Sequence, residues 1–219
     1  MPMFPLGSVF MPSTFLPLHV FEPRYRTMVQ DCLAGEGEFG VVLIERGSEV
    51  GGGDQRTNVG TVARIVEAVE MPDGRYAIGA VGVRRIRVTS WLADDPYPRA
   101  DVEDWDDPEP DSSFPVALAR TVTKLRRVLA MTSEMGEPAA PATQELADDP
   151  VLASYQAAAL SPSGPADQQR LLEQPTPDAR IDVLLGLLTD EEAYLVRRLE
   201  LADDPGSGDG GDDPDRGPG

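Results

Sequence analysis

The sequence predicts an α+β chain whose first half is β structure and whose second half is a small helical bundle. Three observations carry this reading. Near residue 112 the apolar period changes from two residues to 3.6. Pro72-Asp73-Gly74 stands between two long runs rich in β-formers, and Asp-Gly accepts the positive φ that tight hairpins need. Between the halves lies an acidic connector, since residues 94–111 hold nine Asp or Glu and only Arg99 in return. The corresponding partition is 1–107 for the β unit with one helix, 112–202 for the bundle, and 203–219 for a disordered acidic Gly/Asp tail. That last stretch has only Asp, Gly, Pro, Ser and Arg, so it lacks apolar area to offset chain entropy.

Along the β unit, a Pro-rich arm (Pro2, Pro5, Pro12, Pro17) cannot supply regular central strand throughout, because proline has no amide to donate. Helix Pro23–Leu33 follows, with proline in its first turn and Tyr25, Met28, Val29 and Leu33 as its apolar side. Phe39–Ile44 reads as a strand buried on both faces, and 47–54 as a loop. In the hairpin, 59–71 runs out and 75–91 returns. Tyr76, Ile78, Ala80, Ile86 and Val88 share one parity, interrupted by Gly79 and Gly82, which predicts a bulge or sharp coil of the kind small barrels use.

In the second half, Ser112 or Ser113 caps a helix lined by Leu118, Val122, Leu125 and Leu129. Asp149-Pro150 opens a second, carrying Leu152, Tyr155 and Leu160, and a short piece spans 168–173. Thr176-Pro177 opens a helix bearing Ile181, Leu184, Leu185 and Leu188, and Thr189-x-x-Glu192 is a capping-box pattern for a separate last helix. Leu-Ala-Asp-Asp-Pro recurs at 92–96, 146–150 and 201–205, but its flanks share nothing, so it reads as a stop or cap signal and not as a repeat.

Composition excludes several functions. The 219 residues carry a net charge of −19, which repels phosphate backbones and anionic lipid, and disfavours nucleic acid or membrane partners. One cysteine (Cys32) and one histidine (His19) make neither a disulfide nor a zinc cluster. The first 21 residues lack the basic start of a signal peptide, and a cytoplasmic protein without a cofactor or metal is expected.

Leu16-Pro17-Leu18-His19-Val20-Phe21-Glu22-Pro23-Arg24-Tyr25 is long and idiosyncratic. Met3–Pro12, Phe39–Val42, Val59–Ala63, Pro72–Arg75, Gly82–Arg85 and Pro96-Tyr97 accompany it in order. Together these segments resemble the substrate-binding N-terminal domain of Lon proteases, closely over 2–105 and more loosely beyond, where Ala179-Arg180 precedes a Leu-rich helix. The resemblance implies a PUA-like coiled sheet or pseudo-barrel with a helical bundle attached. It also implies a non-catalytic role in recognising unfolded or apolar polypeptide, as an adaptor to a protease or chaperone component. A P-loop needs Lys before Ser or Thr, yet the single lysine, Lys124, precedes Leu125; no Ser–Lys peptidase is suggested either. A stand-alone recognition domain is the expectation.

The alternatives are an RNA-binding module using Arg84, Arg85 and Arg87, and a hydrolase using His19 with Cys32. Glu22, Arg24 and Arg26 read as a local ion pair at the first helix. No catalytic residue is assigned. Phe4, Met11 and Phe15 of the Pro-rich arm are the candidate substrate-binding residues, on the argument that prolines leave some of its side chains at the surface.

Overall fold

A computed structural model describes residues 1–46 and 55–203. The expected 47–54 loop and the tail from residue 204 lie outside them. Six strands form one mixed sheet: β1 (Met3–Leu6), β2 (Phe15–Val20), β3 (Glu38–Arg46), β4 (Gln55–Glu70), β5 (Tyr76–Leu92) and β6 (Arg99–Asp104). Their order is β1-β3-β4-β5-β2, and β6 pairs with the far end of β5. Among the described strands only β1–β3 is parallel.

The β4–β5 hairpin turns where Pro72-Asp73-Gly74 predicts, with Gly74 at φ 76°. Two irregularities fall at the flagged glycines: Val66 is an extra residue on β4 opposite Gly79, and Val83 an extra residue on β5 beside Gly82. A one-residue slip sends a strand's side chains to the other face. The shared parity along β5 therefore serves two cores. Tyr76, Ile78 and Ala80 pack under the first helix, whereas Ile86 and Val88 join Met3, Val42, Val62 and Ala100.

Helix α1 (Pro23–Ala34) buries Tyr25, Met28, Val29 and Cys32. Cys32 takes the place expected for Leu33, which is 47% exposed. The spacing i, i+3, i+4, i+7 from Tyr25 lands on Cys32 and puts Leu33 at the margin.

Four helices follow: α2 (Phe114–Glu134), α3 (Pro150–Leu160), α4 (Pro165–Leu172) and α5 (Pro177–Asp203). Asp149 caps α3, its Oδ1 accepting the Leu152 amide at 2.8 Å. The expected break at Thr189 is absent, because α5 runs through it for 27 residues. Both capping-box residues are otherwise engaged. The Thr189 hydroxyl donates to Leu185 O at 2.7 Å, one turn back, while the Glu192 carboxylate is paired with Lys124 and Arg127 of α2. The bundle core includes Phe114, Leu125, Leu129, Leu171, Ile181 and Leu184, and Met11 and Val59 of the β region belong to the same cluster.

Charge also joins the two regions. Asp107 follows the last strand, and its Oδ1 accepts from Arg180 of α5 at 2.6 Å and from Arg85 of β5 at 3.2 Å. Its Oδ2 accepts the Tyr155 hydroxyl of α3 at 2.5 Å. Arg85 also donates to Leu172 O at the end of α4 (2.8 Å) and to Gln174 O just beyond it (2.5 Å). Burial pulls the Arg85 pKa below its ordinary value, partly offset by Asp107, yet guanidinium remains charged at any physiological pH. Burial also pushes the Tyr155 hydroxyl up, keeping it a donor.

Asp107→Asn is expected to lower unfolding stability by about 3 kcal/mol, because it leaves two buried guanidinium groups without an anion. Thr189→Ala is expected to change stability by less than about 0.5 kcal/mol, whereas losing a true cap costs about 1 kcal/mol. Urea unfolding of both variants checks the pair.

Candidate functional site

The arm before α1 holds the three predicted contact residues, and the structure separates them. Met11 is 1% exposed and packs into the bundle core. Phe4 is buried too, stacked on Tyr25 with ring centroids 4.3 Å apart. Both are core residues: prolines interrupt the arm's hydrogen bonding without lifting its side chains off the body. Phe15, by contrast, is 60% exposed.

The seat of Phe15 follows from two glycines. The ring lies over Gly79, where an added Cβ would meet Phe15 Cζ at 2.8 Å. At Gly82 an added Cβ would meet Met11 O at 2.4 Å, so the arm crosses β5 only because no side chain intervenes. Gly82 also exchanges backbone hydrogen bonds with the arm, from Ser13 N–H (2.8 Å) and to Thr14 O (3.0 Å). Ser13 takes the left-handed conformation, φ 61°, at the corner. From the helical side, Gln156 of α3 donates to Ser13 O at 2.9 Å and to its Oγ at 3.0 Å, while its own carbonyl accepts the Ala147 amide.

These contacts frame a cavity of about 270 Å³, bordered by Thr14, Phe15, Glu145, Leu146 and Leu160. It opens beside edge strand β2, where Phe15, Pro17 and His19 are exposed in alternation and pair with Val81, Gly79 and Ala77 of β5. Across β5, Glu67 and Val69 of β4 face Gly79 and Ala77 in register, and both are exposed. The result is a groove of mixed lining, Phe15, Leu146 and Leu160 beside Ser13, Gln144 and Gln156, with Glu145 in its wall and Glu67 next to the seat of Phe15. Gln156 and Leu146 escaped sequence reasoning, since a glutamine on a helix and a leucine in a loop carry no local signal of what they meet 130 or more residues away.

The other candidates resolve differently. His19 is exposed on β2, while Cys32 is buried and donates to Glu38 O at 3.4 Å. Burial, with Asp31 adding to it, pushes the Cys32 thiol up to about 11, the reverse of an activated nucleophile. Each arginine of the basic cluster is engaged by the acidic connector, Arg84 with Asp104, Arg85 with Asp107 and Arg87 with Glu103, and Arg84 also pairs with Glu38 of β3. That positive charge is neutralised within the fold, which removes the feature that favoured RNA. Glu22 and Arg24 form the expected local pair at 3.1 Å. Among the described residues no group of three or more His, Cys, Asp or Glu is arranged to hold a metal ion. No described helix is long and apolar enough to cross a membrane.

Comparison with known proteins agrees with the sequence motifs. The family model described as "ATP-dependent protease La (LON) substrate-binding domain" matches residues 1–190. The Lon protease of Anaeromyxobacter dehalogenans and Lon protease 2 of Myxococcus xanthus are each 30% identical over 200 residues. Those alignments cover 89% of this chain and 24% of each relative, so the chain spans about a quarter of their length. Among solved structures, the Lon N-terminal domain protein from Xanthomonas campestris superposes with a TM-score of 0.58 at 26% identity, over 85% of this chain and 96% of that one. The N-terminal domain of Mycobacterium avium complex Lon protease gives 0.63 at 18% identity, over 86% and 97%, and shares the fold.

Met11→Ser is expected to destabilise by about 3 kcal/mol, and Phe15→Ser by less than about 1, as core and surface truncations do; thermal melts separate them. Glu38 supplies a pH test. Burial opposes its ionisation, but hydrogen bonds from Arg64 and Arg84 prevail and hold it below the usual range. Its contribution is therefore full above the unfolded value of about 4.3 and is lost as pH falls through the lower folded value. The stability gap between the natural chain and Glu38→Gln should be constant above about pH 5.5 and shrink below about pH 4.

Proposed function

The chain belongs to the LON substrate-binding domain family, and we propose that it binds unfolded or apolar-rich polypeptide segments through the Phe15 groove, as a non-catalytic recognition module. The single observation carrying this reading is a large apolar side chain held 60% exposed by a built seat. Aromatic residues, phenylalanine among them, are enriched at interfaces relative to the rest of a protein's surface. Glu67 and Glu145 at the rim add a preference for clients with basic residues near the apolar one. The corresponding role is presenting such segments to a protease or chaperone component, in the cytoplasm.

The same reading takes residues 1–107 as a PUA-like pseudo-barrel and 112–202 as the bundle that braces it. What supports the barrel is the pairing of Pro2 with Arg99, together with hydrogen bonds from Met3 N–H to Pro98 O and from Ala100 N–H to Met1 O. These bring β1 against the start of β6, which pairs with β5 beside β2's place in the strand order.

A labelled, permanently unfolded polypeptide should bind with a dissociation constant of tens of micromolar, about 6 kcal/mol. Phe15→Ser should weaken binding at least about five-fold, roughly 1 kcal/mol, with the melting curve unchanged. Added salt should reduce affinity only in part, since the contact is largely apolar. Fluorescence anisotropy reads all three. No saturable change up to about a millimolar, the weak end of the scale, overturns the proposal.

A further inference from the structure

From Leu187 onward, α5 carries a stripe that lies off the bundle core. The core contacts of this helix run through Ile181, Leu184, Leu188 and Leu195, while Glu192 turns to Lys124 and Arg127 of α2. Leu187, Tyr194 and Leu201 fall on a line about a third of a turn away, because seven residues nearly close two turns. Tyr194 is 54% and Leu201 72% exposed, and Leu187 is half-buried at the margin of the core. Asp190 and Glu191 stand between the first two, Arg197 and Arg198 between the last two. Among the described residues Asp190, Glu191 and Arg197 form no ion pair, whereas Arg198 is paired with Glu137 at 2.6 Å. The stripe is thus acidic in its first half and basic in its second, with an aromatic ring at its centre. Beside the acidic half lies another cavity of about 270 Å³, bordered by Leu187, Asp190 and Glu191 and, from the start of α4, by Gly164 and Asp167. Three carboxylates and no cation line it, so it suits a guest that is both basic and apolar.

The stripe is self-complementary under a two-fold rotation. Two copies of α5 laid antiparallel with the axis at Tyr194 set Leu187 opposite Leu201, Asp190 opposite Arg198 and Glu191 opposite Arg197, each twice. A parallel pair would set acid on acid and base on base. We propose that this face of α5 joins the chain to a second copy of itself, antiparallel about Tyr194, the Arg197–Leu201 end of each helix entering the acidic cavity of the other. A basic segment of another protein would answer only the acidic half. An acidic one, such as residues 204–219 of this chain, would answer only the basic half. A second copy answers both. Arg197 is the principal cation, since Glu137 already holds Arg198. The net charge of −19 opposes association and few residues meet on each side, so the contact belongs to the weak, reversible class. The Phe15 groove lies on other elements, and this inference is independent of polypeptide binding.

Sedimentation velocity of the full chain tests it. A monomer–dimer equilibrium with a midpoint on the order of 100 µM is expected. Arg197→Glu and Glu191→Arg, neither at a buried residue, should each raise that midpoint at least about ten-fold by setting like charges together, with melting curves unchanged. An equimolar mixture of the two variants should recover the dimer, because both Glu191–Arg197 positions of the mixed pair again join opposite charges. Phe15→Ser should leave association unaltered. A chain that stays monomeric to about 1 mM, the weak end of the scale, overturns the proposal and leaves the stripe to a different protein or to residues 204–219. A mixture no better than its separate variants, or association lost on Phe15→Ser, overturns it as well.

Discussion

The carboxylate of Asp107 is the constraint on which the rest of this structure depends. It accepts from Arg85 on the sheet, Arg180 on the last helix and Tyr155 on the third. Two buried cations face one half-buried anion there, so the balance is made up by carbonyls and rings. Arg85 donates to Leu172 O and Gln174 O and lies 4.0 Å over Trp105, while Arg180 donates to Ser154 and lies 3.6 Å over Tyr155. Guanidinium suits such a site because its planar donor fork can be bonded at the edge and stacked on its face together. Removing the anion would leave the whole set uncompensated, which is why a buried pair costs far more to break than it contributes.

Through this network the bundle sets the geometry of the groove. Tyr155 and Gln156 are consecutive on α3: one is bonded to Asp107, the other holds Ser13 at the corner that presents Phe15. Met11 reaches into the helical core four residues before Phe15, so the arm is held on both sides of the corner. The exposure of Phe15 is thus a consequence of long-range packing and not of a loose arm. Glycines on β5 complete the seat, since both the arm and the ring lie where a Cβ would otherwise be.

The acidic connector has a related role. Read as composition, its nine carboxylates look like a solvated linker. In the fold, Glu103, Asp104 and Asp107 pair with the three arginines of β5, Arg87, Arg84 and Arg85, and Asp94 with Arg56. The basic cluster and the acidic run are two halves of one set of ion pairs. Those on the surface contribute little each, while the Asp107 set is buried and specific.

Much of the architecture was legible locally. The α+β order, the Asp-Gly hairpin, α1 and the start of α3 at Asp149 rest on contacts within a few residues, which composition and period encode. The disturbances at Gly79 and Gly82 were marked by the glycines themselves, although what fills the space beside them is distant in sequence. The Lon-like motif segments, also contiguous, carried the family. Where local signals competed with tertiary ones, the tertiary ones won: Thr189-x-x-Glu192 has the pattern of a cap, but Lys124 and Arg127 draw Glu192 into a helix that continues. Burial within the Pro-rich arm was not legible at all, because Phe4, Met11 and Phe15 share composition and differ only in what folds over them. The sequence by itself determined most of the segments that become strands and helices, β6 within the acidic run and the unbroken α5 excepted, and the family to which they belong, since those depend on backbone preference and periodicity. Only the tertiary structure decided which aromatic stays in water and which carboxylate joins the two regions, because each depends on partners roughly 50 to 150 residues away along the chain.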